Sequence, residues 1–124
     1  MEKVNLTAQE LADKISNLAL EKKGHQIAIL NVQGLSSVTD FFVIISVDSD
    51  VQLKAIADHI ERKLKTDEQI SLYHKEGTSS PNWILLDYID VVVHIFRKET
   101  REHYGLERLW ADAELKLVLE EEEV

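Results

Sequence analysis

The sequence predicts an α/β domain, a mixed sheet of about five strands with helices packed on it. Three observations point there. Two segments space apolar residues three and four apart behind helix-capping patterns. Several short runs rich in β-branched and aromatic residues end at turn-forming residues. The 124 residues fit one domain, residues 1–124, with enough chain to bury a core.

The elements follow in order. Thr7-Ala8-Gln9-Glu10 reads as a capping box, in which Thr7 caps and Glu10 reaches back to its N–H. Ala8, Leu11, Ala12, Ile15, Leu18 and Ala19 then make one helical stripe, with Lys22 and Lys23 at its negative end and Gly24 at the expected C′ position. Ile27 to Val32 reads as a strand, and residues 34–40 as a polar connection. Phe41-Phe42-Val43-Ile44-Ile45 has the continuous apolar character of a strand buried on both faces.

Ser49-Asp50-Val51-Gln52 is a second capping box, opening a helix whose stripe is Leu53, Ile56, Ala57, Ile60 and Leu64. Ile70 to Tyr73 reads as a short strand near an edge, joined to the Phe41 strand by a right-handed crossover through that helix. Gly77, Ser79, Ser80 and Pro81 mark the clearest loop. Trp83 to Asp87 and Asp90 to Phe96 read as a hairpin across Tyr88-Ile89. Residues 97–110 return to helical spacing, broken near Gly105, with Tyr104, Leu106, Leu109 and Trp110 facing the sheet and Glu107 and Arg108 facing out. The acidic tail 119–124 is expected to fray.

Composition narrows the function. The 44% hydrophobic content suits a folded domain, and the absence of cysteine suits a reducing, cytoplasmic setting. The first residues lack the apolar core of a secretory signal, and no apolar run approaches the ~20 residues of a membrane span. A net charge of −9 argues against direct nucleic-acid binding and against an anionic membrane, and it suits a basic protein partner.

Candidate chemistry is sparse. Asp87 and Asp90 flank the hairpin turn, where paired carboxylates could hold a divalent metal; turn chemistry accounts for them without one. Asp48-Ser49-Asp50 has the D-x-D spacing of nucleotidyltransferase carboxylates but lacks the Gly-Ser turn upstream, and helix capping explains it. None of the five histidines falls in a metal-protease pattern, and the chain has neither a phosphate loop nor a nucleophile elbow. His94 lies inside an apolar strand, as a hydrogen-bonded interior or interface residue. No cofactor is implied. The aromatics say more: Trp83 at a strand start and Tyr88 in a turn stand where such rings either anchor interfaces or cover a core edge.

Several segments together resemble one family. These are the hairpin from Trp83 to Phe96 with Asp87, Asp90 and His94; Tyr104-Gly105-Leu106-Glu107-Arg108-Leu109-Trp110; residues 32–40; Phe41 to Ser49; Ala55-Ile56-Ala57-Asp58; and Glu76-Gly77. In this order they are similar to the ribosomal silencing factors, also called Iojap-like proteins, over nearly the whole chain. The resemblance implies a nucleotidyltransferase-like core without its catalytic motif, and so no enzyme. It implies a translational repressor that binds large-subunit ribosomal protein fourteen, a basic protein, and sterically blocks joining of the two ribosomal subunits. A homodimer is a further state it admits. Trp83, Asp87, Tyr88 and Asp90 would form the docking patch, with Glu76, Arg101 and Glu102 at its rim, and loss of Trp83 or Tyr88 would abolish docking without unfolding. The competing readings are a metal-dependent enzyme using Asp48, Asp50, Asp87 or Asp90, and an acidic adaptor for another basic protein. The family's usual glycines are replaced here by Val47 and Ile89, and its frequent basic residue by Val51. Ile89 disfavours a two-residue turn with positive φ.

Overall fold

The computed structural model describes residues 6–77 and 82–118. The loop residues Ser79, Ser80 and Pro81 and the tail 119–124 fall outside that range. The described elements are α1 (Ala8–Glu21), β1 (His25–Asn31), β2 (Phe41–Val47), α2 (Asp50–Glu68), β3 (His74–Glu76), β4 (Trp83–Asp87), β5 (Val91–Arg97), α3 (Lys98–Tyr104), α4 (Leu106–Leu109) and β6 (Glu114–Val118). The mixed α/β class holds. The strands form one six-stranded sheet in the order β3-β4-β5-β2-β1-β6.

β2 and β5 pair in parallel at the centre, from Phe41↔Val91 to Val47↔Arg97. Every other neighbouring pair is antiparallel. Both central strands are buried almost throughout, as their continuous apolar sequences require. Alternation along each strand divides the core in two. Val43, Ile45, Ile84, Leu86, Val93 and Ile95 face α1 and α2 in the larger core. Leu30, Val32, Ile44 and Phe96 face the other way, where Phe42, Trp83, Leu106 and Trp110 pack against them.

The capping box of α1 forms in full, and the predicted stripe from Leu11 to Ala19 is buried. The end of α1 differs from expectation. Lys23 takes the left-handed backbone (φ 69°), and Gly24 does not. Gly24 is needed for space: a Cβ there would sit 2.9 Å from Ile45 Cγ2 and 3.1 Å from the Ala19 carbonyl oxygen. The second capping box forms by half. Ser49 accepts from the Gln52 N–H, while the Gln52 side chain serves its neighbours. Its Oε1 accepts from the Asp48 N–H at 2.8 Å, and its Nε2 donates to the carbonyls of Lys22 and Lys23 at 3.3 and 2.9 Å. Gln52 thus ties the exposed end of α1 to the start of α2.

The expected strand at Ile70–Tyr73 lies instead at His74–Glu76. Gln69 closes α2 in the left-handed conformation, and the N–H groups of Gln69 and Ile70 both bond back to the Leu64 carbonyl. Ile70 and Leu72 then pack on the core as connection, not strand. β3 runs parallel to β2, as a crossover through α2 demands, but β4 and β5 separate the two. The sixth strand, β6, was not anticipated; it pairs with β1 from Ile27↔Val118 to Asn31↔Glu114.

Replacing Gln52 with Ala removes three hydrogen bonds at one junction. The expected loss is about 1–2 kcal/mol of stability, read as a lower urea midpoint with an unchanged slope.

Candidate docking face

The hairpin organises the site. β4 and β5 pair from Trp83↔Phe96 to Asp87↔Val92, and β4 alternates half-buried with buried residues. Ile84 and Leu86 enter the larger core. Trp83, Leu85 and Asp87 therefore stand on the opposite face, the one that α1 and α2 leave uncovered. Gly77, just past β3, lies close against this strand. Its φ is +91°, and any Cβ there would collide with the Trp83 carbonyl.

The turn is not a two-residue I′ turn. The Tyr88 N–H bonds the Val91 carbonyl at 2.9 Å, and the Asp90 N–H bonds the Tyr88 carbonyl at 2.9 Å, which centres a γ-turn on Ile89. Ile89 is exposed with φ 74°, a costly conformation for a β-branched residue. Asp87 holds it there by accepting the Ile89 N–H at 2.8 Å. The Asp90 carbonyl accepts from the N–H groups of Asp40 and Phe41, so it locks the hairpin to the start of β2, while its side chain stays exposed.

Tyr88 differs from expectation. It is buried in the larger core, not displayed in the turn. Its hydroxyl finds no partner among the described residues. Burial, and to a smaller degree the Glu61 carboxylate, push that hydroxyl well above the ordinary tyrosine range. Removing the Tyr88 side chain would therefore open a cavity, and the expectation that Tyr88→Ala leaves the fold intact is set aside.

At the other end of β4 the rings cluster. The Trp83 indole lies 4.9 Å from the Phe96 ring and 4.7 Å from Tyr104. Phe42 meets His94 at 5.2 Å and Trp110 at 5.4 Å, both edge-on. Trp83 Nε1 donates to His94 Nδ1 at 3.2 Å. His94 is buried, and desolvation lowers its pKa from 6.5 to about 4. It is neutral at physiological pH.

α3 follows β5 at this same end. Arg101 is a buried strut: it bonds Glu107 at 2.8 and 3.1 Å, Ser46 Oγ at 2.8 Å and the Gln26 carbonyl. Glu107 therefore turns inward, contrary to its expected outward orientation, while Tyr104 and Leu109 are exposed where burial was expected.

The seven residues singled out in the sequence fall into groups. Trp83 lies at the α3 end of β4, and Asp87 and Asp90 lie at the turn end, roughly 13 Å away along the strand. Glu76 is exposed on β3 opposite Leu85. Glu102 is exposed on α3, while Arg101 and Tyr88 are interior. Leu85, Tyr104 and His94 complete the face around Trp83. Period-two alternation from Trp83 would have identified Leu85, and only packing brings Tyr104 there. The D-x-D carboxylates are engaged elsewhere: Asp48 with His25 at 3.0 Å and Asp50 with Arg97 at 3.3 Å. No helix among the described residues is long and apolar enough to cross a membrane.

Comparisons with known proteins place this arrangement. The family model described as "Ribosomal silencing factor during starvation" matches residues 5–124. The chain is 40% identical over 108 residues to the ribosomal silencing factor RsfS of Halalkalibacterium halodurans, covering 87% of this chain and 92% of that one. It is 43% identical over 96 residues to the Bacillus subtilis protein of the same name, covering 77% and 80%. The mouse mitochondrial assembly of ribosomal large subunit protein 1 is 29% identical over 103 residues, covering 79% of this chain and 44% of its own length. A crystal structure of a Chromobacterium violaceum protein superposes with a TM-score of 0.82 at 29% identity, covering 92% and 94%.

Two outcomes follow from the site's geometry. Ile89→Gly relieves the positive φ at an exposed position and should add about 1 kcal/mol net, raising Tm by about 3–5 °C in a thermal melt. The second concerns pH. The unfolded chain binds a proton at His94 more readily than the folded chain, so this contribution to stability is complete above pH 6.5 and is lost as pH falls toward 4. The loss should approach about 1.4 kcal/mol per pH unit within that window, and His94→Phe should flatten the slope of denaturant-derived stability there.

Proposed function

Because the chain belongs to the ribosomal silencing factor family, we propose that it represses translation by binding the large ribosomal subunit and sterically blocking its union with the small subunit. The contact is with large-subunit ribosomal protein fourteen. The observation that carries this reading is the row Trp83, Leu85 and Asp87, half-exposed on the sheet face that α1 and α2 leave uncovered. A large aromatic with an aliphatic and a carboxylate beside it is the composition of an interface centre with a polar edge. Asp90 and Glu76 are exposed around it and give that edge a negative sign, whereas Glu102 lies on the side of α3 that faces β1 and β6. The net charge of −9 steers the protein toward a basic partner and away from bare RNA. The printed name of the mouse relative, an assembly factor of the large subunit, supports the choice of subunit.

The mechanism is occlusion, without a chemical step. Asp48 and Asp50 pair with His25 and Arg97, and Asp87 caps the turn, so these carboxylates are held in structural contacts. The protein works in the cytoplasm, and a homodimer is a further state it admits.

Co-sedimentation with isolated ribosomal subunits tests the proposal. The expected result is migration with the large subunit alone and depletion of the joined particle. Trp83→Ala should weaken this association by roughly 10- to 30-fold, as loss of a central aromatic does, while circular dichroism stays native. Failure of the wild-type protein to migrate with the large subunit at moderate salt would overturn the reading.

A further inference from the structure

We propose that His94 is a positioning residue: its Nδ1 accepts the Trp83 indole N–H and so fixes the rotamer in which Trp83 meets its partner. This rests on the reading of the Trp83 face as the docking surface. Three observations carry it. The bond is 3.2 Å long and joins neighbouring strands of a rigid hairpin. His94 is buried among flat neighbours, with Phe96 parallel to it at 6.0 Å and Phe42 edge-on at 5.2 Å, which confine its ring. Because Nδ1 accepts, the proton of the neutral ring sits on Nε2, and Nε2 is buried with no partner among the described residues.

That last feature is the informative one. A buried N–H without a partner costs stability, and a Phe at this position in an aromatic cluster would avoid the cost. The imidazole holds its place for the nitrogen on its other side. A Trp side chain at a half-exposed site otherwise samples several rotamers, and each loses entropy on docking. The bond removes that freedom in advance. It also consumes the only polar atom of the indole, so Trp83 offers its partner carbon alone. The partner surface over Trp83 is then apolar and needs no hydrogen-bond acceptor.

The ionisable groups on this face include Glu76 on β3, Asp87 on β4 and Tyr104 on α3, and desolvation, not any of them, lowers the pKa of His94. Its cross-strand neighbours are Leu85 on β4 and Ile44 on β2. Protonation therefore acts on one contact: Nδ1 becomes a donor opposite the indole N–H, and the bond breaks.

The test uses the full chain carrying Trp110→Phe, so that Trp83 is the sole indole. Wild-type Trp83 should give one sharp indole N–H resonance, protected from exchange at pH 7 and losing protection as the pH falls toward 4. His94→Phe should abolish protection while leaving Tm within about 2 °C, and should weaken large-subunit binding about 3- to 10-fold, the size of one hydrogen bond. His94→Asn, which offers an acceptor near the Nδ1 position, should restore part of both. If Trp83→Ala weakens binding but His94→Phe binds as wild type, positioning fails and the docking face stands. If Trp83→Ala itself binds as wild type, the docking face fails. A wild-type indole N–H that exchanges freely at pH 7 overturns the positioning role without any variant. Equal losses of Tm and binding in His94→Phe, with no rescue by Asn, assign His94 a merely structural part and overturn it as well.

Discussion

The parallel pairing of β2 with β5 is the constraint from which the rest of the structure follows. Seven residue pairs align these strands, and nearly every one of their side chains is buried. A strand buried on both faces needs a layer on each side. α1 and α2 supply one layer with aliphatic stripes. Among the described residues only the short helices α3 and α4 remain for the other, and aromatic rings complete it. Parallel neighbours also need a long connection, and residues 48–90 provide it. That connection crosses the first layer as α2, enters the sheet at its far edge as β3, and returns as β4.

This route explains why the candidate docking face lies where it does. β4 carries apolar residues inward on one side and Trp83, Leu85 and Asp87 on the other. α3 and α4 reach only the Trp83 end of that second face, because a γ-turn at the opposite end reverses the chain directly into β5. A half-covered face results, aromatic at one end and acidic at the other. The strain at Ile89 and the unpaired groups on Tyr88 and His94 all gather in this hairpin. Concentrated local cost of this kind is expected where a surface is shaped for recognition.

Two buried ionisable groups, Arg101 and His94, illustrate different solutions to one problem. Arg101 pairs with Glu107 and donates to Ser46 and to the Gln26 carbonyl. It thereby joins α3, α4, β1 and β2. His94 pairs with no carboxylate among the described residues, and its burial keeps it neutral. Charge is therefore available to stiffen the fold at α3, while the centre of the aromatic cluster remains uncharged beside the acidic edge.

The sequence by itself determined the class, the stripes of α1 and α2, the hairpin, the break at Gly105 and the family. Each of these is written in local periodicity, in a capping pattern or in a run of ordered motifs. Tertiary structure decided the rest. β6 has a period-two pattern of only five residues, Glu114 to Val118, and becomes a strand because the free edge of β1 accepts it. Ile70 and Leu72 look like strand residues but are drawn onto the core once Gln69 closes α2. Tyr88 sits in a turn by sequence, yet its ring reaches the core because it continues the inward row of Ile84 and Leu86 past the end of β4. Arg101 reads as a rim charge and is a buried strut, since Glu107 lies across a helix break from it. The physical reason is common to all four: local spacing decides which way a side chain leaves the backbone, but only the packing of distant segments decides what it meets.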